Sequence, residues 1–105
     1  IFFAMTAHII FKKIDRLNTV THSKKLIRHI RKDIGFKNIL ISDDLSMKSL
    51  KGTLIENTIR AFNAGCNLVL HCNGNYKQME IIAKNSPLID NFILEKTSQF
   101  YKILR

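Results

Sequence analysis

Only two of the 105 residues are cysteines, one is proline, four are glycines and eight are acidic. Cys66 and Cys72 are too few for a disulfide framework. With no export signal, they read as reduced thiols of a cytoplasmic chain. Cys66, His71 and Cys72 are near neighbours, but no second cluster of ligands accompanies them, so neither a metal nor another cofactor is expected. No glycine-rich phosphate loop is present. The apolar runs are short and broken by Lys, Asp or Asn, so no transmembrane helix of roughly 20 residues can be drawn and no membrane partner is expected. Ile1-Phe2-Phe3-Ala4-Met5 lacks the basic leader and the length of a signal peptide. A chain that opens inside an apolar run reads as one whose start has been lost. With so little proline and glycine there is no flexible linker, and the length fits one small domain or part of a larger one.

What the chain has in excess is positive charge. Seventeen Lys and Arg against eight Asp and Glu give a formal charge of +9, and the sequence pI is about 9.9. Lys12, Lys13 and Arg16 sit in one stretch and Lys24, Lys25, Arg28, Arg31 and Lys32 in the next. The second group falls between the apolar positions Leu26, Ile27, Ile30 and Ile34, on the outward side of a helix, as a solvated face does. No base-reading or base-stacking motif accompanies it, so a specific nucleic-acid partner is not expected. A non-enzymatic basic module that binds nucleic acid or acidic surfaces is the alternative reading.

Along the chain the pattern alternates. Residues 1–10 have strand character, and 11–22 are polar and irregular. Ser23 predicts the cap of a helix over 24–34 that Gly35 ends. Residues 38–42 read as a buried strand, 54–64 as a helix ended by Gly65, and 67–72 as a second buried strand. Asn73-Gly74-Asn75 is a turn. A helix follows over 76–84, Pro87 breaks it, and a terminal helix covers 91–104. Continuous apolar strands alternating with helices predict an α/β fold with parallel strands buried on both faces, either a small open sheet or an arc of a (β/α) barrel.

In both architectures sites form at the C-terminal ends of the strands. Three ends carry polar groups where the apolar run stops: Thr6-Ala7-His8, Ser42-Asp43-Asp44 and His71-Cys72-Asn73. Neighbours on a strand point to opposite faces, so Asp43 goes with Ile39 and Ile41, and Asp44 with Leu40 and Ser42. Such a pair cannot share a proton. One carboxylate should face the mouth of a site and the other turn toward the next helix, or both serve as caps. His8 shares a face with Ala4 and Thr6, whose small side chains leave room for a cavity. His22 and His29 read as loop and helix-surface residues.

The stretch Gly35-Phe36-Lys37-Asn38-Ile39-Leu40-Ile41-Ser42-Asp43-Asp44-Leu45-Ser46-Met47-Lys48 resembles the signature of bacterial β-N-acetylhexosaminidases of glycoside hydrolase family three. Met5-Thr6-Ala7-His8-Ile9 resembles the segment before it, and Ala64-Gly65-Cys66-Asn67-Leu68-Val69-Leu70-His71-Cys72-Asn73-Gly74 the one after it. The resemblance implies the last three βα units and C-terminal helix of a TIM (β/α)8 barrel, so that residues 1–105 are a C-terminal fragment of one catalytic domain. It implies a cytoplasmic enzyme of peptidoglycan recycling that releases β-linked N-acetylglucosamine from muropeptides with retention. Asp43 takes the place of the nucleophile, Met47 that of a methionine packed on the sugar, and His8 lines the same mouth. A retaining glycosidase also needs a proton donor. The family's donor is a His on a loop of the Lys-His-Phe-Pro-Gly-His-Gly type, and none of these 105 residues forms such a stretch. The chain is therefore expected to be inactive alone and marginally stable unless a separate N-terminal half of the barrel completes it.

Overall fold

The computed structural model describes residues 1–104. Three strands, β1 (Phe3–Met5), β2 (Ile39–Asp44) and β3 (Leu68–Leu70), form one parallel sheet in chain order, with β2 in the middle. The helices are α1 (Lys24–His29, continued by a π-helical turn Ile30–Ile34), α2 (Leu54–Ala64), α3 (Tyr76–Lys84) and α4 (Asn91–Leu104). The expected alternation of strand and helix is therefore present as an α/β sheet of three parallel strands with two open edges.

Local chemistry sets each boundary. The Ser23 hydroxyl accepts from Leu26 N–H at 3.0 Å and starts α1. Gly35 ends its π-helical turn at φ 80°, a conformation costly for a side chain with a Cβ. Thr53 and Glu56 form a reciprocal capping box at the start of α2. At its end Gly65 has φ 121°, and a Cβ there would lie 2.8 Å from Ile27 Cγ2, so glycine lets α1 approach. The Asn75 side chain caps α3 by accepting from Gln78 N–H at 3.0 Å.

The core lies between the sheet and α1–α3. Leu40 of β2 packs there with Ile27, Leu45, Ala61, Ala64, Cys66 and Ile82, and Ala4 and Val69 lean on the same cluster. Alternation then sends Ile41 and Asp43 to the opposite face, where both are half-buried. Burial pushes the Cys66 thiol up to about 11, so this thiol stays protonated and inert.

Three expectations need correction. The first strand stops at Met5 rather than running to Ile10, because residues beyond Thr6 leave the sheet for a neighbouring segment: Thr21 N–H donates to the Ala7 carbonyl and Val20 N–H to the Ile9 carbonyl. His22 is buried, not a loop-surface residue, and its Nε2 lies 3.2 Å from the Asn57 carbonyl in α2. Arg31 is not on a solvated face. Its guanidinium donates to the carbonyls of Phe36 (3.1 Å) and Asn38 (2.6 Å) and to Asn67 Oδ1 (2.7 Å), tying the end of α1 to the starts of β2 and β3.

Asp15 fastens the irregular segment 11–22 to α1. Its carboxylate accepts from the Ser23 hydroxyl at 2.7 Å and from the N–H groups of Leu17 and Asn18. These bonds hold its pKa down at about 2 against an ordinary 3.8. A carboxyl whose folded pKa is depressed stabilises above its unfolded pKa, and the contribution disappears as pH falls from about 4 through about 2. Thermal melts followed by circular dichroism between pH 5 and pH 2 should therefore show a steeper loss in the native chain than in Asp15→Ala. Equal slopes would remove Asp15 from this role.

Candidate active site

The C-terminal ends of the three strands meet around Asp44, the β1 end at its peptide carbonyl and the β3 end at its carboxylate and the following N–H. His8, just beyond β1, donates from Nε2 to the Asp44 carbonyl at 2.8 Å. Met47 N–H donates to the same oxygen at 3.2 Å. One carbonyl thus uses both lone pairs to hold the residues before and after the Asp pair. Because that carbonyl can only accept, His8 carries a proton on Nε2; its Nδ1 lies 2.9 Å from the Thr21 hydroxyl, which itself donates to the Ala7 carbonyl at 3.2 Å. The Thr6 hydroxyl, 2.9 Å from Thr21 Oγ1, completes the chain by donating to it. His8 therefore spends both ring nitrogens on the frame of the site. Thr6 belongs to a strand end that the sequence singles out, but Thr21 was not visible as a site residue, since two threonines fifteen positions apart carry no motif.

The two aspartates have different tasks. Asp44 Oδ1 accepts from Ser46 N–H (3.0 Å) and Cys72 N–H (3.1 Å), and Oδ2 from the Ser46 hydroxyl (2.7 Å). It ties the turn after β2 to the end of β3. Burial raises its pKa, but the bonds from Ser46 and Cys72 and the nearby His71 outweigh that and hold the carboxyl below its usual range. Neither aspartate caps a helix, because Thr53 already caps α2. Asp43 accepts only Asp44 N–H, through Oδ1 at 2.8 Å, which leaves Oδ2 without a partner among the described residues. This division of roles comes with an irregularity in the sheet. Ile41 pairs with Leu68 and Asp44 with Leu70, so that two residues of β2, Ser42 and Asp43, face the single Val69 of β3. The buried Ser42 fills the gap by accepting Leu70 N–H on its hydroxyl at 3.0 Å. Bulges of this kind re-aim side chains at the ends of strands.

At the third strand end, His71 Nε2 bonds to Gln78 Oε1 at 2.8 Å, and its buried Nδ1 has no partner. It lines a groove of about 660 Å³ between β3, α3 and residues 86–93. Asp43, His8 and Met47 do not line that groove. Met47 is 42 % exposed beside the Asp pair. Cys66 is buried in the core while Cys72 is exposed, and no group of three or more His, Cys, Asp or Glu among the described residues could hold a metal ion.

The Asp pair of divided roles lies at the C-terminal end of a parallel strand, where α/β folds of this kind place their sites. Residues 3–99 match the family described as the glycosyl hydrolase family 3 N-terminal domain, and the chain belongs to it. Curated relatives include a Beta-hexosaminidase of Methylobacillus flagellatus, 36 % identical over 81 residues, covering 75 % of this chain and 23 % of that protein. Another is a Beta-hexosaminidase of Photobacterium profundum, 28 % identical, covering 96 % of this chain and 32 % of the relative. Among solved structures, a beta-N-acetylglucosaminidase from Thermotoga maritima matches with a TM-score of 0.68 at 31 % identity, over 79 % of this chain and 19 % of that one. A Beta-N-acetylhexosaminidase from Beutenbergia cavernae shares the fold with a TM-score of 0.69 at 24 % identity, over 77 % of this chain and 25 % of that one. The chain thus spans between about a fifth and a third of the length of these proteins.

Proposed function

We propose that this chain is the C-terminal arc of a (β/α)8 barrel, supplying three βα units and the nucleophile of a retaining β-N-acetylhexosaminidase. The observation that carries this reading is the contrast between Asp44, whose carboxylate takes three hydrogen bonds, and Asp43, whose Oδ2 takes none. A carboxylate with a free oxygen at a strand end can attack an anomeric carbon. A carboxylate whose two oxygens are both held by Ser46 and Cys72 is the poorer nucleophile.

The chemistry then runs in two displacements. Asp43 Oδ2 forms a bond to the anomeric carbon as the bond to the leaving oxygen breaks, and that oxygen takes a proton from an acid on another part of the enzyme. Water, deprotonated by the same group, then cleaves the glycosyl ester and regenerates the Asp43 carboxylate with retention. Met47, exposed beside the pair, offers an apolar surface to the sugar. His8 holds the Asp44 peptide and with it the direction of Asp43. The substrate class is a muropeptide bearing β-linked N-acetylglucosamine, met in the cytoplasm during peptidoglycan recycling. The remaining strands of the barrel, whether on the same polypeptide or a separate N-terminal half, supply the proton donor and the rest of the sugar subsite. The isolated chain is then inactive.

The test is a chimaera in which this chain replaces the matched stretch of the Methylobacillus flagellatus relative. The chain alone should not hydrolyse p-nitrophenyl N-acetylglucosaminide, and the chimaera should. A fluorosugar that traps the glycosyl-enzyme should label the peptide containing Asp43. Labelling of a different carboxylate in a turning-over chimaera, or turnover by the chain alone, would overturn the reading.

A further inference from the structure

A second surface of the molecule, built on the loop that follows His8, has the make-up of a binding surface. From Ile9 to Ile14 every side chain is exposed. Phe11 is 50 %, Ile14 40 % and Leu17 86 % exposed, apolar groups left in water beside Lys12, Lys13 and Arg16. The turn is held in this form from within, by Asp15 and by the N–H groups of Ile14 and Asp15 donating to the Phe11 carbonyl.

The neighbouring helix adds charge. Lys25, Arg28 and Lys32 recur at helical spacing on the exposed face of α1. They share a groove of about 470 Å³ with Lys13 and Ile14 of the loop. Four cations line that groove against one carboxylate, Asp33, which is already 2.6 Å from His29. Neither of the two ion pairs among the described residues, His29–Asp33 and Lys84–Glu80, involves any of the four. Like charges three and four residues apart on a helix repel one another. The stripe is therefore an arrangement that an anionic surface would relieve.

We infer that the loop Ile9–Leu17 and the outer face of α1 together bind an anionic lipid surface, with Phe11, Ile14 and Leu17 entering the headgroup region and Lys13, Lys25, Arg28 and Lys32 contacting the phosphates. Charge complementarity names the anion, and the interleaved aliphatic side chains select lipid. Nucleic-acid phosphates would use the cations but leave Ile14 and Leu17 in water, whereas an interface takes both. The binding lies on the surface and needs no span, in keeping with the absence of any helix long and apolar enough to cross a membrane among the described residues. This inference does not depend on the hydrolase reading.

Co-sedimentation of the full chain with vesicles tests it. Binding to vesicles with about 30 % phosphatidylglycerol should exceed binding to pure phosphatidylcholine at least about tenfold, and weaken as salt rises from about 0.05 to about 0.5 M. Lys25→Gln/Arg28→Gln/Lys32→Gln should weaken it on the order of a hundredfold. Phe11→Ser/Leu17→Ser should weaken it at every salt concentration. Unchanged circular dichroism spectra keep both results attributable to the surface. Equal binding to neutral and anionic vesicles, no binding at low salt, or tighter binding to mixed-sequence RNA than to vesicles at equal phosphate concentration would each overturn the proposal.

Discussion

Asp43→Asn in the chimaeric enzyme is expected to lower kcat about 10⁴-fold or more, with a change in folding stability below about 0.5 kcal/mol. The amide oxygen can still accept Asp44 N–H, the single bond that Asp43 makes, so the strand end keeps its form. What is lost is the negative oxygen that forms the ester, and a neutral amide is too weak a nucleophile to replace it. Asp44→Ala should do the opposite. It strips acceptors from Ser46 N–H, the Ser46 hydroxyl and Cys72 N–H. It should cost about 1–3 kcal/mol in urea unfolding, less than three buried bonds would, because the carboxylate is only half-buried. Any loss of activity in Asp44→Ala should be accompanied by this loss of stability. If Asp43→Asn turned over normally, or if Asp44→Ala abolished hydrolysis at unchanged stability, the two tasks would have to be exchanged.

How far these tasks were legible depends on the range of the interactions. The bounds of α2 and α3 were readable because Gly65 and the turn Asn73-Gly74-Asn75 act within one turn of their own positions, and the span of α4 agrees with its reading as a terminal helix. Alternation along β2 separated Asp43 from Asp44, and that separation needs only the period of a strand. The tasks of the ring nitrogens of His8 were not readable. They depend on Thr21, thirteen residues away, and on a carbonyl thirty-six residues away. Arg31 misled for the same reason. Its charge suggested solvent, and only the tertiary fold brings two carbonyls and Asn67 within its reach. The bulge at Ser42 also escaped notice, because a serine in a strand signals nothing until its hydroxyl is found replacing a ladder bond.

Leu40→Ala should be the most destabilising single change in the isolated chain, and its neighbour provides the control. Leu40 is 1 % exposed and sits at the centre of the helix-side core. Truncating a buried leucine costs about 2–5 kcal/mol through lost burial and an unfilled cavity. A domain of this size is stable by only about 5–15 kcal/mol, and a three-stranded sheet with open edges belongs at the low end. Leu40→Ala should therefore leave much of the chain unfolded in water. Ile41→Ala, one residue along the same strand, removes a half-buried side chain from the opposite face and should cost about 1 kcal/mol in the isolated chain. The proposed barrel makes a further demand. Its interior is filled by side chains from all of its strands, so in the chimaera the Ile41 face becomes a second core. Ile41→Ala should then cost about as much as Leu40→Ala. Urea unfolding of both variants and their parent, in the isolated chain and in the chimaera, measures this change directly. A cost at Ile41 that stays near 1 kcal/mol in an active chimaera would mean that the sheet does not close into a barrel over that face.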